Sequence, residues 1–97
     1  MLRHIVCWKL NGSAEEKEQV VRRFREMMDR LQEVLPEILS CSIGVNIQKG
    51  DVFDLCVDET FEDEAVLNHY LYYPDHVEIR DYMTSVSYDK MVFDFLF

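Results

Sequence analysis

The sequence predicts an α+β fold in which helices lie on one face of a four-stranded antiparallel sheet. Three observations carry that expectation. Apolar residues alternate with a period of two over Leu39–Gln48 and Val86–Phe97, the spacing of strands with one buried face. Between strand candidates stand segments whose apolar residues recur every three or four positions, the spacing of amphipathic helices. The segments follow one another as strand–helix–strand–strand–helix–strand. That is the ferredoxin-like βαββαβ order, which sets the first and third strands side by side at the centre of the sheet.

Leu2–Leu10 (LRHIVCWKL) is the first strand, rich in Ile, Val and Trp. Arg3, Ile5, Cys7 and Lys9 point one way and His4, Val6, Trp8 and Leu10 the other, so both faces carry apolar groups and both need cover. Asn11-Gly12-Ser13 makes a turn, and Ser13 with Glu16 has the spacing of a capping box. The helix behind it runs to about Leu35 on a stripe of Val20, Val21, Phe24, Met27, Met28 and Leu31, which reads as core packing. Pro36 ends it, because the residue before a proline resists helical angles.

Leu39–Gln48 is the second strand, Lys49-Gly50-Asp51 a hairpin turn, and Val52–Phe61 the third strand. Thr60 or Glu62 opens a second helix carrying Ala65, Val66, Leu67, Tyr70 and Leu71. Tyr73-Pro74 interrupts it, and Pro74 suits the first turn of a further helical piece through about Met83. Val86–Phe97 closes the fold, with Met91, Phe93, Phe95 and Phe97 on one face and Tyr88, Lys90, Val92, Asp94 and Leu96 on the other. No repeat or linker divides residues 1–97, which read as a single domain.

Helices cover only one face of such a sheet. The apolar content of the other face calls for a partner, and the simplest is a second copy related by two-fold symmetry, sheet on sheet. Burying a few hundred Å² at ~25 cal/mol per Å² yields several kcal/mol before association costs.

Ten basic against nineteen acidic side chains leave a formal charge of −9, which repels nucleic acid and anionic membranes alike. The basic residues Arg22, Arg23, Arg25 and Arg30 are interleaved with Glu26 and Asp29 and read as a solvated helix face. Cys7, Cys41 and Cys56 are odd in number with no metal-ligand spacing, so they read as reduced thiols packed as small hydrophobes. Arg3, His4 and Lys9 interrupt the first ten residues, unlike a signal peptide. The expected compartment is the cytoplasm.

The opening RHIVCWKL, the segment FDLCVDETFEDEAVLNHYLYYPDHVEIRDY and the closing MVFDFLF resemble, in order and spacing, the stress-responsive A/B barrel domain (Dabb) family. The resemblance spans nearly the whole chain. Two positions depart from the family pattern: Tyr73 stands for the histidine before the proline, and Glu37 for the glycine after the first helix. The resemblance implies a homodimer, a dimeric α+β barrel with a pocket in each subunit; no cofactor or metal is expected. One plant member cyclises a polyketide by aldol chemistry. By matched motif it implies Tyr70 and His76 as catalytic residues and His4 as a pocket-lining one.

Read from the residues themselves, His4, Val6, Trp8 and Asp54 line the pocket. Strand parity sets Phe53, Leu55 and Val57 toward the helices and leaves Asp54 on His4's side in the adjacent strand. Such a carboxylate either orients an imidazole for general base work or forms a buried polar pair with it and nothing more. His76 either moves protons or bonds locally at a helix start. Tyr70 either holds a substrate oxygen or is a core aromatic with a wet hydroxyl. His69, Tyr72 and Tyr73 read as rim residues, and the three histidines lack a metal-ligand spacing on one element.

Three functional readings follow. The first is a homodimer of unassigned activity whose pocket, between sheet and helices, takes a small apolar or carbonyl-bearing ligand. The second is a cofactor-free cyclase, isomerase or monooxygenase acting on an enolisable carbonyl. The third is a structural, stress-protective oligomer with a filled interior.

Overall fold

Ser13 begins the first helix as its sequence demands: its hydroxyl accepts from the Glu16 backbone N–H at 3.2 Å, and the Glu16 carboxylate accepts from the Ser13 N–H at 3.0 Å. The turn before it needs Gly12, whose φ of +98° is strained for any residue with a Cβ. In the computed structural model, which describes residues 1–97, the elements are β1 (Leu2–Leu10), α1 (Ala14–Val34), β2 (Ser40–Val45) and β3 (Leu55–Phe61), then α2 (Glu64–Tyr72), α3 (Pro74–Val86) and β4 (Ser87–Leu96). The strands form one antiparallel sheet in the order β2–β3–β1–β4, the ferredoxin-like arrangement.

The core lies between this sheet and the helices. Phe24, Met28 and Leu31 of α1, Leu67 and Tyr70 of α2, and Ile79 and Met83 of α3 close over the central strands. Leu2, Val6, Trp8 and Leu10 of β1 and Leu55, Val57 and Phe61 of β3 meet them. Trp8 stacks edge-on against Phe24 with centroids 5.1 Å apart.

Several boundaries differ from the sequence reading. β2 stops at Val45 and β3 starts at Leu55, so the expected short hairpin is a loop over 46–54. The Asn46 side chain explains the early stop: Oδ1 accepts from the Gln48 N–H and Nδ2 donates to the Phe53 carbonyl, capturing backbone groups that a ladder would use. Leu39 and Ile47, expected on the strand's apolar face, lie outside it and exposed. α2 begins at Glu64, because Thr60 and Phe61 are still paired with Arg3 and Leu2 of β1. Asp63 caps it, accepting from the Val66 N–H at 3.0 Å. α3 runs on to Val86.

On the helix-free face Ile5 and Cys7 of β1 neighbour Phe93 and Met91 of β4, and Phe93, Phe95 and Phe97 form an aromatic row 5.8–6.1 Å apart. Arg3 binds Asp58 and lies over the Phe95 ring at 5.7 Å. Cys7 and Cys56, remote in sequence, are direct cross-strand partners on this face. Burial pushes the Cys41 and Cys56 thiols up to about 12, the character of packed hydrophobes rather than nucleophiles. No helix is long and apolar enough to cross a membrane.

Candidate functional site

The site is built on one row across the sheet. Cys41 of β2, Glu59 of β3, His4 of β1 and Asp94 of β4 are successive cross-strand partners, all on the helix side. Antiparallel register fixes this, since His4 lies opposite Glu59 as surely as Val6 lies opposite Val57. Asp94 accepts a hydrogen bond from His4 Nδ1, which holds the proton on that nitrogen and leaves Nε2 as the ring's other face.

The expected partnership of His4 with Asp54 is therefore incorrect. Asp54 precedes β3 and turns away. Its Oδ2 accepts from the Leu10 N–H at 2.7 Å and its Oδ1 from Lys17 at 3.4 Å. It lines a different depression, of about 690 Å³, between the start of α1 and the 46–54 loop, which is the largest on the molecule. The parity assignment failed because Cys56 and Asp58 share the helix-free face with Ile5 and Cys7, whereas His4 shares the helix side with Leu55 and Val57.

Helix α2 brings Tyr70 over the row. Its hydroxyl donates to Glu59 Oε1 at 2.9 Å, and both residues are fully buried. The break at Tyr73-Pro74 restarts the chain as α3 and folds His76 back onto Tyr70, with ring centroids 4.3 Å apart. His76 Nδ1 donates to the Leu71 carbonyl at 3.1 Å, so a neutral ring carries its lone pair on Nε2. Burial holds His76 down at about 4, neutral at physiological pH.

These groups line a cavity of about 250 Å³ between the sheet and helices α2 and α3. His4, Val6, Trp8, Tyr70 and His76 all reach it, and Asp54 does not. The exposed members, Tyr72, Arg80, Lys90, Val92 and Asp94, mark its mouth. His69 lies outside, bonded to Glu37 at 2.6 Å. No group of three His, Cys, Asp or Glu side chains comes together as a metal cluster.

Glu59 was missed from sequence. Burial pushes its carboxyl up to about 8, against the lowering effect of the Tyr70 hydrogen bond. A signal was present: in Leu55, Val57, Glu59, Phe61 an acid occupies a core-facing position in a strand.

A ferredoxin-like sheet with a polar row beneath two short helices defines an α+β protein with a helix-side pocket. The chain belongs to the Stress Responsive A/B Barrel Domain family (Dabb), whose family model matches residues 2–97. Among curated proteins none matches. Among solved structures it resembles a dimeric protein of unknown function with a ferredoxin-like fold from Bacteroides fragilis (TM-score 0.89, 23% identity, 99% of this chain and 95% of that one). A dimeric ferredoxin-like protein from Jannaschia sp. CCS1 is similar at a TM-score of 0.84 and 21% identity, over 99% and 98% of the two chains. The hydroxynitrile lyase of Passiflora edulis is similar at 0.80 and 19%, over 99% and 92%. At these identities the likeness carries the fold alone.

Proposed function

We propose that this single-domain chain is a cytoplasmic homodimer whose helix-side pocket takes a small, largely apolar ligand bearing a carbonyl group. The observation that carries the ligand is the lining: apolar walls of Val6, Trp8 and Ile79 converge on a few polar atoms of His4, Tyr70 and His76. The dimer rests on the apolar helix-free face and on the dimeric state of the Bacteroides and Jannaschia proteins. An open pocket weighs against the purely structural oligomer, which calls for a filled interior.

A second reading, a cofactor-free enzyme acting on an enolisable carbonyl, is favoured by the Tyr70–His76 contact. Tyr70 would hold the carbonyl oxygen while His76 Nε2 accepts the α-proton. A base whose conjugate acid sits near 4 is weak, so the enolate must be stabilised in place, and a phenol at the oxygen does that. The lyase among the structural neighbours supports such chemistry on this fold, as an analogy.

The test uses acetophenone together with a polyketide and quinol panel. NMR titration should shift Tyr70 and His76 resonances on binding. If the enzyme reading holds, the protein should also speed deuterium uptake at the ketone α-carbon, and His76→Ala should slow it by about a hundredfold. No binding by any member overturns the pocket reading; equal exchange rates remove His76 from the chemistry.

A further inference from the structure

Glu59 is the only carboxylate on the helix side of the two central strands, and its surroundings are wrong for an anion. It is 0% exposed, and Oε2 has no hydrogen-bond partner. An ionised carboxylate with an orphaned oxygen in a dry site costs several kcal/mol, whereas a neutral acid costs far less. No cation stands near to offset the charge. On β1, His4 is committed to Asp94 of β4. On β2, Cys41 is an un-ionised thiol, and on α3 His76 is neutral. On β3 itself, Asp58 lies on the opposite face and only adds negative charge. The α1 residues at the cavity, Phe24 and Met28, carry no charge, and Arg80 and Lys90 sit out at the mouth. That leaves Tyr70 of α2, at 2.9 Å, as the sole group bonded to the carboxyl.

This pair has two arrangements. Ionised Glu59 can only accept, so it holds the Tyr70 proton and the phenol has none to offer elsewhere. Neutral Glu59 carries one proton, which can sit on Oε1 and be donated to Tyr70 Oη. The phenol proton is then free to point into the cavity. Passing from the first arrangement to the second takes up one proton from solvent, which is held on Oε1, and rotates the Tyr70 hydroxyl; ionisation returns that proton to solvent.

We propose that Glu59 is the positioning residue that sets what Tyr70 offers a ligand: as a neutral acid it turns the phenol into a hydrogen-bond donor for a carbonyl oxygen, and on ionising it withdraws that donor. The inference rests on the pocket reading above and deepens it, since it selects ligands with a neutral acceptor and disfavours carboxylates, which would meet Asp94 at the cavity and a dry wall without a cation. Burial lifts Glu59 to about 8, so the donor would be lost within the mildly alkaline range.

The experiment has two arms. Infrared difference spectra of the ligand-free protein read the carboxylic acid C=O band. It should be present at neutral pH, fade as pH rises through about 8, and vanish in Glu59→Gln. Acetophenone, which does not titrate in this range, is the binding probe. Its dissociation constant should rise about tenfold from about pH 6 to about pH 9 in the parent, as the competent fraction falls. That ratio should collapse to about one in Glu59→Gln, whose amide always donates, and in Tyr70→Phe, which has no proton to withdraw. An absent acid band at neutral pH, or parent binding that ignores pH, overturns the gating role and leaves the pocket reading standing. Failure of acetophenone to bind at any pH while the acid band is seen overturns the carbonyl-ligand reading and the gating with it.

Discussion

Glu59 and His76 are displaced in opposite directions by the same cause, burial, and their effects on stability have opposite signs. His76 is held at about 4 against an ordinary 6.5, so between those values the unfolded chain binds the proton more tightly and stability rises with pH. Glu59 is raised from 4.5 to about 8, so between those values the native chain holds the proton and stability falls as pH rises. Where the windows overlap the two oppose each other. Between the ordinary histidine value and pH 8 or so only Glu59 acts, and stability should decline by about 2 kcal/mol across that window. Urea midpoints measured across this range should show the decline in the parent and its absence in Glu59→Gln. A parent that gains stability over the same range would contradict the buried acid. At this scale the sequence is read unevenly. His4, Tyr70 and His76 stand out by residue type and motif. The partners of His4 do not, because whether it meets Asp54, Glu59 or Asp94 depends on pairing register, which alternation alone leaves open.

Elements were legible where a chemical signal marks them and blurred where only apolar spacing did. The Ser13–Glu16 box starts α1 where its residues say, and Pro74 opens α3 at the first position a proline tolerates. Ser13→Ala removes the acceptor for the Glu16 N–H and should cost about 1 kcal/mol in chemical denaturation. Ser13→Asn, which keeps an acceptor, should cost a few tenths at most. An Ala variant as stable as the parent would mean that the box is ornamental. The start of α2 was misplaced because Thr60 and Glu62 look like caps, while strand pairing holds Phe61 extended to the end of β3. The 46–54 loop was hidden by the apolar run Val45, Ile47, Val52, which imitates a strand pair that the Asn46 side chain interrupts.

At the scale of the whole molecule, the uncovered face decides the oligomer. Phe93, Met91 and Phe97 stand well exposed beside Ile5 and Cys7, an arrangement costly to leave in water. Charge works the other way, because a chain at −9 pairing with its copy brings both net charges together. The two terms predict distinct salt behaviour. A sheet-on-sheet dimer held by apolar area and opposed by charge should tighten as salt is raised, since salt screens the repulsion and leaves the burial intact. Phe93→Asp places a carboxylate on the helix-free face beside Ile5 and should yield a monomer at micromolar concentration in sedimentation equilibrium, with helix content unchanged because Phe93 lies on the face away from the helices. Weakening of the parent dimer by salt would mean that ion pairs between the copies, and not apolar area, hold the contact. A parent that sediments as a monomer throughout would mean that the helix-free face is tolerated in water, and the pocket would then have to work within one chain.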